Sequence, residues 1–215
     1  MWNGPAGGTT APTGYMRKSF NKIPFSLIKW PKGIYSEGAK TMGCQERGFP
    51  AAAGDGEDYR EHQEAEAVLI GGPLAPRING MVRFKDVPGG VEVFVHVEGL
   101  PPYQPAREGR PPVGPHGFHI HEKGDCTVGD PANPFTAAGP HWNPDHQPHG
   151  NHAGDFPVLF SNCGLATMTF FTNRFKVAEI VGRSVIIHEN PDDYRTQPNG
   201  AAGRRLACGV IKRKE

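Results

Sequence analysis

The sequence predicts an all-β domain, an antiparallel barrel or sandwich with Greek-key connections. Three observations carry this. Val91, Val93, Val95 and Val97 alternate with Glu92, Phe94, His96 and Glu98, the period of a half-buried strand. The 29 glycines and 22 prolines in 215 residues favour many short strands over long helices. No stretch shows a helical period of convincing length.

Residues 1–64 stand apart. Up to Pro50 they hold seven Lys/Arg against two Asp/Glu, and from Ala51 to Glu64 the balance turns acidic, as in Asp55-Gly56-Glu57-Asp58. Neither part keeps a period of 2 or 3.6, so a largely disordered extension is expected. Its Phe20, Phe25, Leu27, Ile28 and Trp30 are available to dock on a partner or on the domain. The domain itself, residues 65–215, opens with the apolar run Ala67-Val68-Leu69-Ile70, ending at Gly71-Gly72. Residues 77–87 and 91–99 form a hairpin around Pro88-Gly89-Gly90. Further strands are expected over Leu165–Phe171, Lys176–Val181, Ser184–His188 and Leu206–Ile211. The long connection from Gly124 to about Pro157 is structureless by pattern, and loops of that length are usually functional.

Composition excludes several function classes. A net charge of +1 removes the simplest argument for a nucleic-acid or anionic-membrane partner. The basic, aromatic-containing N-terminal stretch has no accompanying nucleic-acid-binding motif. A mean hydropathy of -0.50, with no long apolar run, argues against a membrane span. The first residues lack the basic and apolar regions of an export signal, which points to the cytoplasm. Of four cysteines, Cys126 lies beside a histidine cluster and Cys208 in a strand-like run, while Cys44 and Cys163 have no obvious partner. One disulfide with two free thiols is favoured over four free thiols.

Eight of the ten histidines fall between His116 and His188. His119 and His121 are two apart on a predicted strand, so both project from one face. With His188 on another strand and His141 in the loop, they make four imidazoles, a set suited to copper. His141, His149, His152 and Asp155 make a closed set with one carboxylate, as structural zinc prefers. His141 belongs to both. An imidazolate binds one metal through each ring nitrogen, so a shared histidine would join the two sites. Only Gly150-Asn151 separates His149 from His152, and His146 is the alternative zinc ligand. His96, His62 and His116 are read as solvent-facing or loop residues.

The chain from about Ala65 to Ile211 resembles a copper/zinc superoxide dismutase, more the bacterial members than the animal ones. The motifs are Gly-Phe-His-Ile-His-Glu at 117–122, Gly-Pro-His-Trp-Asn-Pro at 139–144 and His-Ala-Gly-Asp at 152–155. Val-Ile-Ile-His-Glu-Asn-Pro-Asp-Asp at 185–193 and Gly-Arg-Arg-Leu-Ala-Cys-Gly-Val-Ile at 203–211 complete them. The resemblance implies an eight-stranded Greek-key barrel with long metal-binding and electrostatic loops. It implies copper on His119, His121, His141 and His188, and zinc on His141, His149, His152 and Asp155. It pairs Cys126 with Cys208 and places Arg205 beside copper to meet an anion; for Arg204 a surface role is favoured over an active-site one. It makes Asp192 the carboxylate that holds both His119 and His149; a plain turn-capping role is the alternative. The implied reaction converts superoxide to dioxygen and hydrogen peroxide while copper cycles between Cu(II) and Cu(I), with one proton passing through the shared imidazole of His141. A homodimer is one quaternary state such proteins adopt. A copper-delivery protein is the alternative function: Met42-Gly43-Cys44-Gln45-Glu46-Arg47 begins like a copper-transfer site, but Arg47 stands where a second cysteine is needed.

Overall fold

The computed structural model describes residues 63–215. The expected extension therefore lies outside the described residues except for Gln63 and Glu64, as do His62, Cys44 and the copper-transfer-like stretch. Seven strands follow: β1 (Glu64–Gly71), β2 (Asn79–Val87), β3 (Gly90–Glu98), β4 (Phe118–His121), β5 (Ala166–Thr172), β6 (Ser184–His188) and β7 (Arg205–Arg213). They form one antiparallel sheet in the order β4-β6-β7-β1-β2-β3-β5. The chain runs as a meander through β3, crosses to the opposite edge for β4, returns for β5 beside β3, and crosses again to β6. These crossings are the expected Greek-key connections.

The sheet curls around one core. Val91, Val93, Val95 and Val97 all point inward from β3 and meet Phe84, Leu69, Phe118, Ile120 and Val185. The β2–β3 hairpin closes at Val87↔Gly90, with Gly89 at φ +83 supplying the reversal. A smaller cluster of Phe135, Ala138, Ile186 and Cys208 lies under the long loop after β4, as satellite clusters commonly do.

Two elements differ from expectation. Lys176–Val181 is not a strand; Val177–Ile180 is a helical turn, α1. Its buried residues Val177 and Ile180 sit at i,i+3, and its first N–H groups are taken by carboxylates. Lys176 N–H bonds Glu179 Oε2 at 2.6 Å, and Val177 N–H bonds Asp86 Oδ1 at 3.1 Å. Nor is there an eighth regular strand among the described residues. The stretch between β3 and β4 carries only the isolated bridges Gln104↔Val113 and Arg107↔Arg110. Pro101, Pro102, Pro105, Pro111 and Pro112 interrupt it and remove the donors a ladder needs.

Cys126 and Cys208 are joined in a disulfide with Cα atoms 5.6 Å apart, within the usual span. Cys163 is free and exposed. The bridge ties the start of the long loop to β7 across 82 residues of sequence. Closing a loop of that size stabilises by about 2–4 kcal/mol, chiefly through the unfolded state. Cys208→Ser is therefore expected to lower the melting temperature by roughly 5–15 °C, read by calorimetry; an unchanged midpoint would refute the anchoring role.

Candidate metal centre

The site sits over β4, β6 and β7, on the side away from the core. On β4 every residue is buried, but Phe118 and Ile120 enter the core while His119 and His121 face the long loop. That loop lies back along β4 as an improvised strand. His119 bridges Asp155 and His121 bridges His141, with Ile120 N–H on Gly154 O at 2.9 Å and Trp142 N–H on Ile120 O at 2.8 Å. A backbone ladder thus sets one residue of the zinc-type group opposite each strand histidine. On the other side β6 and β7 pair His188 with Arg205 across a bulge after Ile187, which turns both side chains toward the same space.

The structure brings together the residues singled out from the sequence. Ligand atoms of His119, His121, His141 and His188 lie within 4.8 Å of one another, and so do those of His141, His149, His152 and Asp155. His146 is exposed and belongs to neither group.

Each ring is fixed through one nitrogen. His121 Nδ1–H donates to Gly139 O at 2.9 Å, and His188 Nδ1–H to Gly203 O at 3.2 Å. His119 Nε2–H donates to Asp192 Oδ2 at 2.6 Å and His149 Nε2–H to Asp192 Oδ1 at 2.9 Å. These partners only accept, so they assign the tautomers. The opposite nitrogens carry lone pairs, and those of His119 (Nδ1) and His149 (Nδ1) are buried without a hydrogen-bond partner, as are His141 Nε2 and His152 Nδ1. Most telling, Nε2 of His121 and Nε2 of His188 stand 3.2 Å apart with no proton left to share. Two facing lone pairs at that separation repel unless a cation lies between them.

The zinc-type group has matching dimensions. Asp155 Oδ1 lies 3.1 Å from His141 Nδ1 and 3.3 Å from His152 Nδ1, and Asp155 Oδ2 lies 3.3 Å from His149 Nδ1. Donor atoms about one zinc with bonds of about 2.0–2.1 Å stand roughly 3.3 Å apart; His141 and His152 meet that spacing from Oδ1 and His149 from Oδ2. Asp155 Oδ2 is pinned further by the N–H groups of Gly150 at 2.9 Å and His152 at 3.1 Å. The donor sets therefore fit a copper-type and a zinc-type ion, and His141 would have one nitrogen to offer to each.

Electrostatics agree. Burial, then the neighbouring imidazoles, hold His119 and His121 well below the ordinary histidine value, and burial pushes His188 down to about 3. Neutral rings are the form that binds metal. Burial raises Asp155, but the His141 hydrogen bond and the facing histidines outweigh it and keep the carboxyl ionised more readily than usual. The Arg205 guanidinium donates to the carbonyls of Phe135 and Gly139, the latter at 2.6 Å, and shares Gly139 O with His121. No carboxylate pairs with Arg205 among the described residues, and its charge helps depress both His121 and His188. Arg204 instead forms a bidentate pair with Glu189 at 2.8 Å, so its charge is neutralised at the surface.

Asp192 is no mere turn cap, although it also takes the Tyr194 N–H at 2.7 Å. Gly200 makes room for it: at φ +65, a Cβ there would lie 1.9 Å from Asp192 Oδ1 and 2.4 Å from His149 Nε2. His116, read from sequence as solvent-facing or loop, is fully buried, and its Nδ1 bonds the carbonyl of His188 at 2.9 Å. A lone histidine before a glycine carries no sequence signal for such a support role. Arg174, also missed, donates to His152 O at 2.9 Å.

Fold and site together define an antiparallel β protein with two adjoining buried donor groups able to hold metal ions, and the comparisons agree. The chain matches the family model of copper/zinc superoxide dismutase (SODC) over residues 78–211. It is similar to proteins named superoxide dismutase [Cu-Zn] from several bacteria. It is 36% identical to that of Deinococcus radiodurans over 153 residues, 63% of this chain and 78% of the relative. It is 35% identical to that of Caulobacter vibrioides over 154 residues, 62% and 78% of the two chains, and 37% identical to that of Legionella pneumophila over 141 residues, 62% and 77%. The chain belongs to the copper/zinc superoxide dismutase family.

Proposed function

We infer that this chain dismutes superoxide, with copper on His119, His121, His141 and His188 and zinc on His141, His149, His152 and Asp155. The observation that carries the reading is the pair of facing Nε2 lone pairs on His121 and His188. Copper, when bound, supplies reversible one-electron chemistry: one superoxide is oxidised to dioxygen and a second, with two protons, is reduced to hydrogen peroxide. The rest is the work of the chain. The unpaired Arg205 guanidinium attracts a small anion and orients it beside the His121–His188 edge. His141 holds a proton acceptor at Nε2 while Nδ1 stays tied to the zinc side. Asp192 fixes the tautomers of His119 and His149 from a single buried carboxylate. Copper delivery is not favoured: the relatives are named dismutases.

The reading extends to three matters of organisation. Residues 65–215 form the dismutase domain and 1–64 an extension, which limited proteolysis tests by trimming the chain near residue 64 with metal content intact. A homodimer would cover some exposed apolar side chains, such as Val68, Ile70, Phe160 and Phe171; sedimentation tests it. A cytoplasmic location is part of the reading, and cell fractionation tests that. Among the described residues no helix is long and apolar enough to cross a membrane.

His121→Ala is the direct test of the copper assignment. Activity is expected to fall to that of the metal-free protein, with copper lost and zinc retained, because Phe118 and Ile120 still hold β4 in the core. Metal analysis beside a superoxide-decay assay reads both. Full activity in this variant would refute the assignment.

A further inference from the structure

The zinc-type group contains a short segment whose first residue is held from another loop. Only Gly150 and Asn151 separate His149 from His152, and the His149 N–H finds no acceptor in its own loop. It donates instead to Gln197 Oε1 at 2.8 Å, 48 residues further along. The same carboxamide turns Nε2 toward His149 O at a longer 3.4 Å and toward Arg195 O at 3.1 Å. One side chain thus addresses both polar groups of a single backbone unit, much as a neighbouring strand would. The His149 ring is held from the same loop, through Asp192. The two loops are in tight contact here: a Cβ on Gly150, at φ +92, would come within 2.6 Å of Tyr194 O. Tyr194 fastens the far side, its hydroxyl donating to Phe156 O at 3.1 Å and accepting the Val158 N–H at 2.9 Å.

We propose that Gln197 is a positioning residue for zinc, standing in for the loop length that the His149–His152 segment lacks. The proposal rests on the zinc set argued above. Asp192 fixes the rotation of the His149 ring; where its Nδ1 lies relative to His141, His152 and Asp155 depends also on the backbone, which Asp155 holds at the Gly150 and His152 N–H groups and Gln197 holds at His149 itself. Gln197 is exposed, so removing the carboxamide leaves the His149 N–H to water, at little cost in stability, and loosens that end of the backbone. Three of the copper-side residues, His119, His121 and His188, stand on strands and do not touch Gln197; the fourth, His141, is shared with the zinc-type group.

The test uses the full chain, stripped of metal and reloaded, with zinc affinity read by competition against a chromophoric chelator. Gln197→Ala is expected to weaken zinc by about 10–100-fold, the usual effect of losing an outer partner of a metal ligand. With zinc supplied at saturating concentration, the Cu(II) electron paramagnetic resonance spectrum is expected to stay at wild-type values, as is the melting temperature of the metal-free protein. Gln197→Glu, which keeps the acceptor for the His149 N–H, is expected to lose less than the alanine variant. Wild-type zinc affinity in Gln197→Ala would overturn the proposal. So would equal losses of copper and zinc together with a lower metal-free melting temperature, which would mean general damage. Wild-type protein that takes up no zinc would sink the zinc assignment itself, and the proposal with it.

Discussion

His141→Ala is expected to lose both metals at once and to reduce dismutation by more than about 100-fold, the upper range seen when only an outer partner of a ligand is removed. Its imidazole is the one side chain common to both ligand groups. Nδ1 lies 3.1 Å from Asp155 Oδ1, and Nε2 is buried toward the copper-type group with no hydrogen-bond partner. No other described residue can replace it, because His146 points to solvent. The comparison with His121→Ala gives the prediction its edge. His121 belongs to one group, so its loss leaves zinc in place and the loaded protein still melts above the metal-free one. Loss of His141 brings the loaded melting curve down to the metal-free curve, since stabilisation by a bound ligand vanishes when its affinity does. Metal analysis and calorimetry on the two variants decide it. Full zinc content in His141→Ala would show that the ring does not join the sites.

Much of this centre was legible because its geometry is local. His119 and His121 read as a same-face pair since a strand has period 2, and the ladder they head is short and straight. The assignment of His141 and Asp155 to positions opposite them was not readable from spacing. It comes from a loop that folds back on β4, a pairing that only tertiary structure reveals. Gln197 and His116 left no trace in the sequence for the same reason. An amide that binds backbone and a histidine that supports a carbonyl have no spacing rule, because their partners are 48 and 72 residues away. The fold shows a parallel contrast. The valine alternation of β3 is unambiguous, and all four valines are in the core. Val177–Ile180 is too short for period 2 and i,i+3 to be told apart, so the carboxylates of Glu179 and Asp86, not the apolar pattern, decide that it turns as a helix. Between β3 and β4, prolines defeat the regular ladder that a family barrel leads one to expect.

Acid is expected to unfold the metal-free protein well before it unfolds the loaded one. In the folded chain, burial holds His119, His121, His152 and His188 below the ordinary value of 6.5, His188 at about 3. Between those limits the unfolded chain binds more protons than the native one, so stability rises with pH across the window and is lost as pH falls through it. For His188 the separation, at about 1.4 kcal/mol per pH unit, is on the order of 5 kcal/mol, comparable to the whole stability of many domains. Asp155 adds a loss of the same sign at lower pH: its carboxyl is held below the usual range in the native state, so its contribution disappears as acid protonates it. The metal-free melting temperature should therefore drop steeply from pH 6.5 toward pH 3. Bound metal occupies the same lone pairs that protons would take, so the loaded protein holds its melting temperature to lower pH, with a limb that shifts as metal concentration is raised. Calorimetry across this range, with and without metal, provides the measurement. A metal-free melting temperature that stays flat from pH 7 to pH 4 would mean that these imidazoles are not neutral and desolvated, and the tautomer argument for a cation between His121 and His188 would fall with it.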